Sequence, residues 1–407
     1  MWEDGTRGYS YIMTEKTSSN LWSKEFIFLL TINIINSIAF GTINPIFPGF
    51  IVSLGGTLTV AGLITGLFAY AALAGRPLAS ILGDRGNKKK LLILFMLGHG
   101  LFSVLYAFAP SVIWVIVFRI FRGLSFSVSG TISISLGADF IPKERMGEGI
   151  GFLGVGQILG MALGPNIAVA LLDVFGYSYP PVFLISGITI MVAGLLVIFL
   201  KCIPREPATD QKRKKFTLQE MIAVELLPLT IFTAIFAVGT GLVGSFIVLM
   251  SVERGIPHFG LFFIVNAIVI LLARPFAGRI TDQKGTSFVV LPSFIFMVLA
   301  LLLVGFSSAT WHLLLAGICM AFGSGIAFPG LQTECIGRLG VTRRTVAVST
   351  YLVGMDIGMG AAPILGGAIS DATSFTVAFV CAAVVAAVGF VSYLLYIRGH
   401  SKNKKHA

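Results

Sequence analysis

Leu73-Ala-Gly-Arg76-Pro77-Leu-Ala79-Ser80-Ile-Leu-Gly-Asp84 and Leu271-Leu-Ala-Arg274-Pro275-Phe-Ala277-Gly278-Arg279-Ile-Thr-Asp282 read as two copies of one segment, each residue of the first lying 198 positions before its counterpart. The same offset pairs Gly41 with Gly239, Gly62 with Gly260, Arg145 with Arg343, Gly160 with Gly358, Pro165 with Pro363 and Asp173 with Asp371. Chance does not hold one register from Gly41 to Asp173, so the chain is a tandem duplication.

What is duplicated follows from composition. Of 407 residues, 56% are hydrophobic and only 12% charged, and the mean hydropathy is +0.92. A soluble domain needs far more charge to cover its surface. Twelve apolar runs, each long enough to cross about 30 Å of hydrocarbon as a helix, are predicted at 26–52, 60–83, 90–109, 112–135, 146–172, 180–201, 226–251, 259–281, 288–307, 311–333, 346–370 and 374–397. Strand-length alternation is absent, which excludes a barrel. The expected fold is an all-α membrane protein of twelve transmembrane helices in two six-helix bundles. Because six is even, both copies cross in the same direction, a parallel repeat that places a cavity between the halves near the bilayer midplane.

The net charge of +11 sorts by membrane side, which argues against a nucleic-acid partner. Lys and Arg gather at Arg7, Lys16 and Lys24, then in alternate loops: Arg85 with Lys88 to Lys90, Lys143 with Arg145, Lys201 to Lys215, Arg279 with Lys284, and Arg338 with Arg343 and Arg344. Arg398, Lys402, Lys404 and Lys405 follow on the same side, whereas the opposite loops hold only Arg254. By the positive-inside rule both termini are expected in the cytoplasm. The organisation expected is a cytoplasmic segment 1–25, a bundle 26–202, a basic proline-containing linker 203–225, a second bundle 226–397 and a basic tail 398–407. Residues 1–24 are polar and unlike a cleaved signal; Met13 is a second candidate initiator. Cys202, Cys319, Cys335 and Cys381 have neither CxxC spacing nor nearby histidines, so packing is expected of them and no metal.

Three motifs carry chemistry. The segments ending Gly-Asp84-Arg85-Gly86-Asn87 and Gly278-Arg279-Ile-Thr-Asp282-Gln-Lys284-Gly285 set a carboxylate at a helix end beside cations and a tight turn. Gly154, Gly156, Gly160, Gly164 and Pro165 form a small-residue stripe, partly repeated as Gly358, Gly360 and Pro363. Helix 4 carries Arg119 and Arg122-Gly123. With the duplication, these resemble motifs A, C and B of the major facilitator superfamily, and the stripe is similar to that of its drug:proton antiporters. The resemblance implies alternating access, with Asp84, Arg85, Arg279 and Asp282 gating the conformational change. It also makes Gly160, Gly164, Pro165, Gly358 and Pro363 a hinge and packing seam between halves, and implicates Arg119 in proton coupling. The sequence departs from the pattern at Ser80, Asn87 and Asn166 to Ala168, where the family usually has glycines, and at Arg122, where it often has Gln.

Asp356 lies about 15 Å along helix 11, at the bilayer centre, flanked by Gly354, Gly358 and Gly360. An intramembrane carboxyl group that alternates between water and an arginine can load and release a proton; Arg119 or another cation is the partner candidate. Arg76 and Arg274, being duplicated, are expected to be structural and to snorkel to the cytoplasm. Asn44, Gln157, Asn166 and Asp356 are the cavity candidates, because helices 1, 5, 7 and 11 line the cavity in the family resembled. Phe68, Tyr70, Phe126 and Phe246 are candidate apolar walls.

The reading is a proton-coupled exporter of a small organic molecule in a bacterial inner membrane, functional as a monomer, with protons and lipid as further partners and no cofactor. An uptake symporter or facilitator of the same fold remains an alternative. A membrane enzyme is disfavoured because His99, His258, His312, His400 and His406 are scattered, and a transport-like sensor because no signalling domain is recognisable. No P-loop is present to use ATP.

Overall fold

The computed structural model of the protein describes residues 21–85, 87–142, 145–176, 178–201, 223–339 and 343–403. Twelve helices are long and apolar enough to span a membrane, and among the described residues there is no strand. They are α1 Lys24–Ser53, α2 Leu58–Ala79, α3 Lys88–Phe108, α4 Val112–Asp139, α5 Gly151–Val174 and α6 Tyr179–Phe199. The second half comprises α7 Val224–Glu253, α8 Leu261–Thr281, α9 Ser287–Gly305, α10 Thr310–Leu339, α11 Val346–Ala372 and α12 Phe375–Gly399. The helix containing α2 continues to Arg85, and that containing α8 to Lys284. Every expected run corresponds to one span, and the ends differ by a few residues.

Local chemistry sets several of those ends. The Ser23 hydroxyl accepts from Phe26 N at 3.2 Å and starts α1. Asn87 starts α3: its backbone is extended (φ −73°, ψ 105°) and its Oδ1 accepts from Lys90 N at 3.1 Å. Asn87 thus replaces the family's glycine with an N-cap rather than a left-handed turn. In the second copy Gly285, at φ +87°, supplies the turn that only glycine adopts freely. One turn of π-helix at Ala321–Gly325 interrupts α10.

Lipid offers helices no hydrophobic reason to associate, so small residues and polar contacts do the joining. Within each half, α5 packs on α1 and α11 packs on α7. Added methyl groups at Gly160 and Gly164 would strike the backbone of Ser37 and Gly41, and one at Gly358 the carbonyl of Ala234. The glycine stripe of α5 therefore seals α5 to α1 of its own half, correcting the expected seam between halves. The halves meet instead through α2 with α11, α5 with α8, and α1 with α7. Gly62 lies against the Pro363 carbonyl and Gly367, and Gly66 against Gly360 and Ile364.

Because successive helices cross in alternate directions, the start of α1, the end of α6, the start of α7 and the end of α12 share one end of the bundle, called here the termini end. Among the described residues, the polar and close glycine contacts that cross between halves run from Arg76–Asp356 and Tyr70–Gly360 in the middle of the helices to Asp371–Leu58 and Asn166–Gly260 toward the opposite, far end. There the buried core is continuous, with Ile46, Phe47 and Phe50 of α1 in one cluster with Phe246, Ile247 and Met250 of α7.

Gly62→Val is expected to destabilise the protein by about 1–3 kcal/mol, the usual cost of overpacking, read as a lower melting temperature in detergent. Gly130→Ala, whose added methyl meets nothing within 4 Å, leaves it unchanged.

Candidate functional site

Asp356 is held by Arg76. The guanidinium donates Nε to Oδ2 at 2.7 Å and Nη2 to Oδ1 at 3.0 Å, a two-pronged charge-assisted pair. The Asp356 side chain is 10% exposed and that of Arg76 32%, so the carboxylate is the more deeply enclosed partner. Of the ion pairs among the described residues this one joins the halves; Lys88–Asp139, Glu334–Arg338 and Glu225–Arg343 each stay within one. Two expectations are corrected here. Asp356 pairs with another cation, Arg76, in place of Arg119, and Arg76 does not snorkel away as a structural cation.

Pseudo-symmetry explains why the pair is not repeated at the counterpart positions. The counterpart of Asp356, 198 positions earlier, is Ile158, buried in an apolar cluster with Ala162, Ala267 and Ile270. Arg274, the counterpart of Arg76, accordingly has no carboxylate facing it from α5. It is exposed instead on a cavity of about 330 Å³ shared with Gln332 and Thr333 of α10.

At the far end Asp371 of α11 crosses to the start of α2. Its Oδ1 accepts from Leu58 N at 2.9 Å, and its Oδ2 from Thr59 N at 2.7 Å and the Thr59 hydroxyl at 2.5 Å. A carboxylate here satisfies free helix-start N–H groups from the opposite half. The duplicated Asp173 meets a different situation. Residues 256 and 257, which correspond to Leu58 and Thr59, are Ile256 and Pro257, and proline has neither an N–H nor a hydroxyl to donate. That second crossing is made by Asn166, whose Nδ2 donates to Gly260 O at 3.1 Å as well as to Ala162 O in its own helix at 2.7 Å. Asn166 was expected in the cavity and serves as a bridge between halves.

Arg119 and Arg122 lie one turn apart on α4, 1% and 0% exposed. Arg119 donates Nη2 to the Thr65 carbonyl at 3.4 Å and lies over the rings of Phe47 (3.9 Å) and Phe68 (4.7 Å). Arg122 donates Nε to the Ser103 hydroxyl at 2.8 Å and faces Phe40, Phe68 and Tyr106 at 5.5, 5.3 and 5.9 Å. Four guanidinium nitrogens of the pair are buried without a well-formed hydrogen bond, although the Tyr106 hydroxyl lies beside both side chains, and both ring nitrogens of the adjacent His99 are without a partner. At about 6 Å, the spacing of such neighbours on a helix, two like charges repel by about 3 kcal/mol even at an effective dielectric of 20. Cation–π contacts offset part of that.

The remaining expected residues are dispersed. Asn44 is half-buried with its Oδ1 unpartnered, and Gln157 is exposed on α5. Tyr70 packs on Gly360. Phe68 and Phe126 stand beside Phe40 in front of Arg122, whereas Phe246 is fully buried against Phe375 in the second half. Pro165 and Pro363 lie inside their helices, and Arg279 is exposed. The side chains of Asp84, Arg85 and Asp282, expected to gate, lie outside the described residues, as does Cys202.

The sequence model of the Major Facilitator Superfamily matches residues 29–257 and 229–407. The chain belongs to the major facilitator superfamily. Within it, an uncharacterized MFS-type transporter of Burkholderia pseudomallei (strain 1106a) is 25% identical over 405 residues, covering 95% of this chain and 97% of that protein. An uncharacterized MFS-type transporter of Methanocaldococcus jannaschii is 24% identical over 395 residues, covering 93% and 98%. Among solved structures, the nucleoside transporter NupG superposes with a TM-score of 0.73 at 13% identity, over 92% of this chain and 99% of that one. A bacterial homolog of the human lysosomal transporter Spinster, inward-facing and occupied, superposes at 0.73 and 17%, over 92% and 96%. These superpositions bear out the fold. Relatives and structural neighbours alike are named as transporters, so a membrane transporter replaces the enzyme alternative.

Asp371→Ala removes a cap that spans the halves and is expected to cost about 1–2 kcal/mol, read as a lower melting temperature. Asp173→Ala, at the counterpart position, where Pro257 replaces the Thr59 donor, is expected to leave the stability within about 0.5 kcal/mol of the parent, with the melting temperature unchanged.

Proposed function

We propose that this superfamily member exports a small organic molecule by alternating access, driven by protons that bind and leave at Asp356. The observation that carries the reading is the Arg76–Asp356 pair, a charged contact between the two halves at membrane depth. Protonation cancels the charge of Asp356 and removes the reason for α2 and α11 to stay paired there. Deprotonation with Arg76 near restores it. A proton therefore has a differential interaction energy with the two arrangements of the halves, which is what shifts their populations.

Among the described residues, the contacts that cross between halves gather from mid-helix to the far end, which supports a chamber that opens at the termini end. Asp371 on Leu58 and Thr59, Asn166 on Gly260, and Gly62 on Pro363 hold the far end together. The positive-inside distribution supports cytoplasmic termini in a bacterial plasma membrane, so the open end is the cytoplasmic one. The α5 glycine stripe, similar to that of drug:proton antiporters, favours export. The chain works as a monomer of two bundles, 26–202 and 226–397, joined by the linker 203–225, with Asp84, Arg85, Arg279 and Asp282 as gating residues and Asn44 and Gln157 along the chamber. Arg119, with no carboxylate beside it among the described residues, is set aside as a proton carrier.

Coupling is tested without a substrate by spin labels on Ile134→Cys and Thr333→Cys, at the termini ends of α4 and α10, in a chain whose four native cysteines are replaced. Lowering the pH from about 8 to about 5 is expected to shift the interlabel distance distribution. Asp356→Asn is expected to hold the low-pH distribution at both values. An undiminished pH response in Asp356→Asn removes the proton role.

A further inference from the structure

We infer that Arg119 and Arg122 form a binding site for the carboxylate of a small aromatic or apolar organic acid, and that such acids are the substrate class of the transporter. The inference rests on the alternating-access reading above and names what that machine carries.

The first ground is charge. Buried cations are ordinarily paired, yet two arginines adjoin here with no carboxylate among the described residues near them, and with the Tyr106 hydroxyl beside both, four N–H-bearing nitrogens still lack a well-formed hydrogen bond. A guanidinium presents its donors as a planar fork that fits a carboxylate, so the missing acceptor is a planar oxyanion.

The second ground is that the fold does not require the cluster. In the duplicated half the positions of His99, Tyr106, Arg119 and Arg122 are held by Met297, Val304, Gly317 and Met320. Three of these, Met297, Val304 and Met320, are buried in the apolar core, and Gly317 lies against the Phe262 backbone. The same bundle architecture thus closes without a single charge at this place. Charges retained in one half only, at a desolvation cost, point to a ligand rather than to folding.

The third ground is the wall. Phe40 and Phe126 stack at 4.4 Å with 11° between their planes, Phe68 lies 5.3 Å from Phe126, and both Phe40 and Phe126 are only half-buried. An acid that sets its carboxylate on Arg122 meets aromatic faces along its body. A chloride or phosphate ion would face the same rings with nothing to place against them. The site belongs to the half opposite Asp356, so anion loading and the inter-half ion pair are chemically separate events.

Purified full-length protein in detergent, in a buffer whose anion is methanesulfonate, tests this by thermal unfolding with benzoate, chloride and inorganic phosphate as probes. Benzoate at about 100 times its Kd is expected to raise the melting temperature saturably by about 2–5 °C, with chloride and phosphate far less effective. Arg122→Met, which copies the residue the duplicated half carries at this place, is expected to keep or raise the unliganded melting temperature and to abolish the benzoate shift. Should that variant not fold, crystals of the parent chain grown with 4-bromobenzoate are expected to show a bromine anomalous peak on the aromatic side of Arg122. Absence of any benzoate shift, a benzoate shift that survives Arg122→Met, an equal response to chloride, or a bromine peak elsewhere overturns the assignment. None of these readouts depends on a proton gradient, so a failed anion site is distinguishable from failed proton coupling at Asp356.

Discussion

A charge placed at membrane depth has to be answered, because neither lipid nor an apolar helix face solvates it. Asp356 meets that requirement by reaching across the molecule to Arg76, and in doing so ties α11 to α2 between halves that, among the described residues, are otherwise joined by glycine contacts, apolar packing and the polar crossings of Asp371 and Asn166. An attraction that a single proton can switch off, set at the boundary between two rigid bundles, is the physical element on which the transport reading depends.

The duplication sharpens that reading because the two halves share a backbone but not a chemistry. Arg76 and Arg274 correspond, yet α11 offers Asp356 and α5 offers Ile158. Asp371 and Asp173 correspond, yet α2 begins with donors and α8 is preceded by Pro257. Arg119 and Arg122 correspond to Gly317 and Met320. What is common to both halves, the stripe from Gly160 matched by Gly358 and the paired prolines Pro165 and Pro363, builds the bundles. What differs is where proton and ligand chemistry concentrates.

The helices and their repeat were legible in the sequence because membrane length and a constant offset are properties of the chain itself. The depth of Asp356 was legible for the same reason. Its partner was not, since pairing across 280 positions depends on which faces α2 and α11 turn toward each other. Duplication of Arg76 suggested a structural role, and the signal against that lay unread at Ile158: a symmetric structural role would need two acids. The α5 glycines announced a close approach without saying to which helix, and α1 of the same half was the answer. Asn166, read as a cavity residue, proved to bridge the halves because its place on α5 faces the start of α8. That Arg119 and Arg122 lie enclosed without an acid is a fact about the whole bundle, beyond the reach of any window of residues.

The most direct measurement is a double-mutant cycle on Arg76 and Asp356, using Arg76→Met, Asp356→Leu and the pair together. The quantity followed is the population ratio of open and closed termini ends, by single-molecule fluorescence transfer near pH 8. The account predicts that either single substitution shifts the ratio and that the two effects couple by about 1–3 kcal/mol, as for residues in contact. Effects that add independently to within about 0.5 kcal/mol would contradict it.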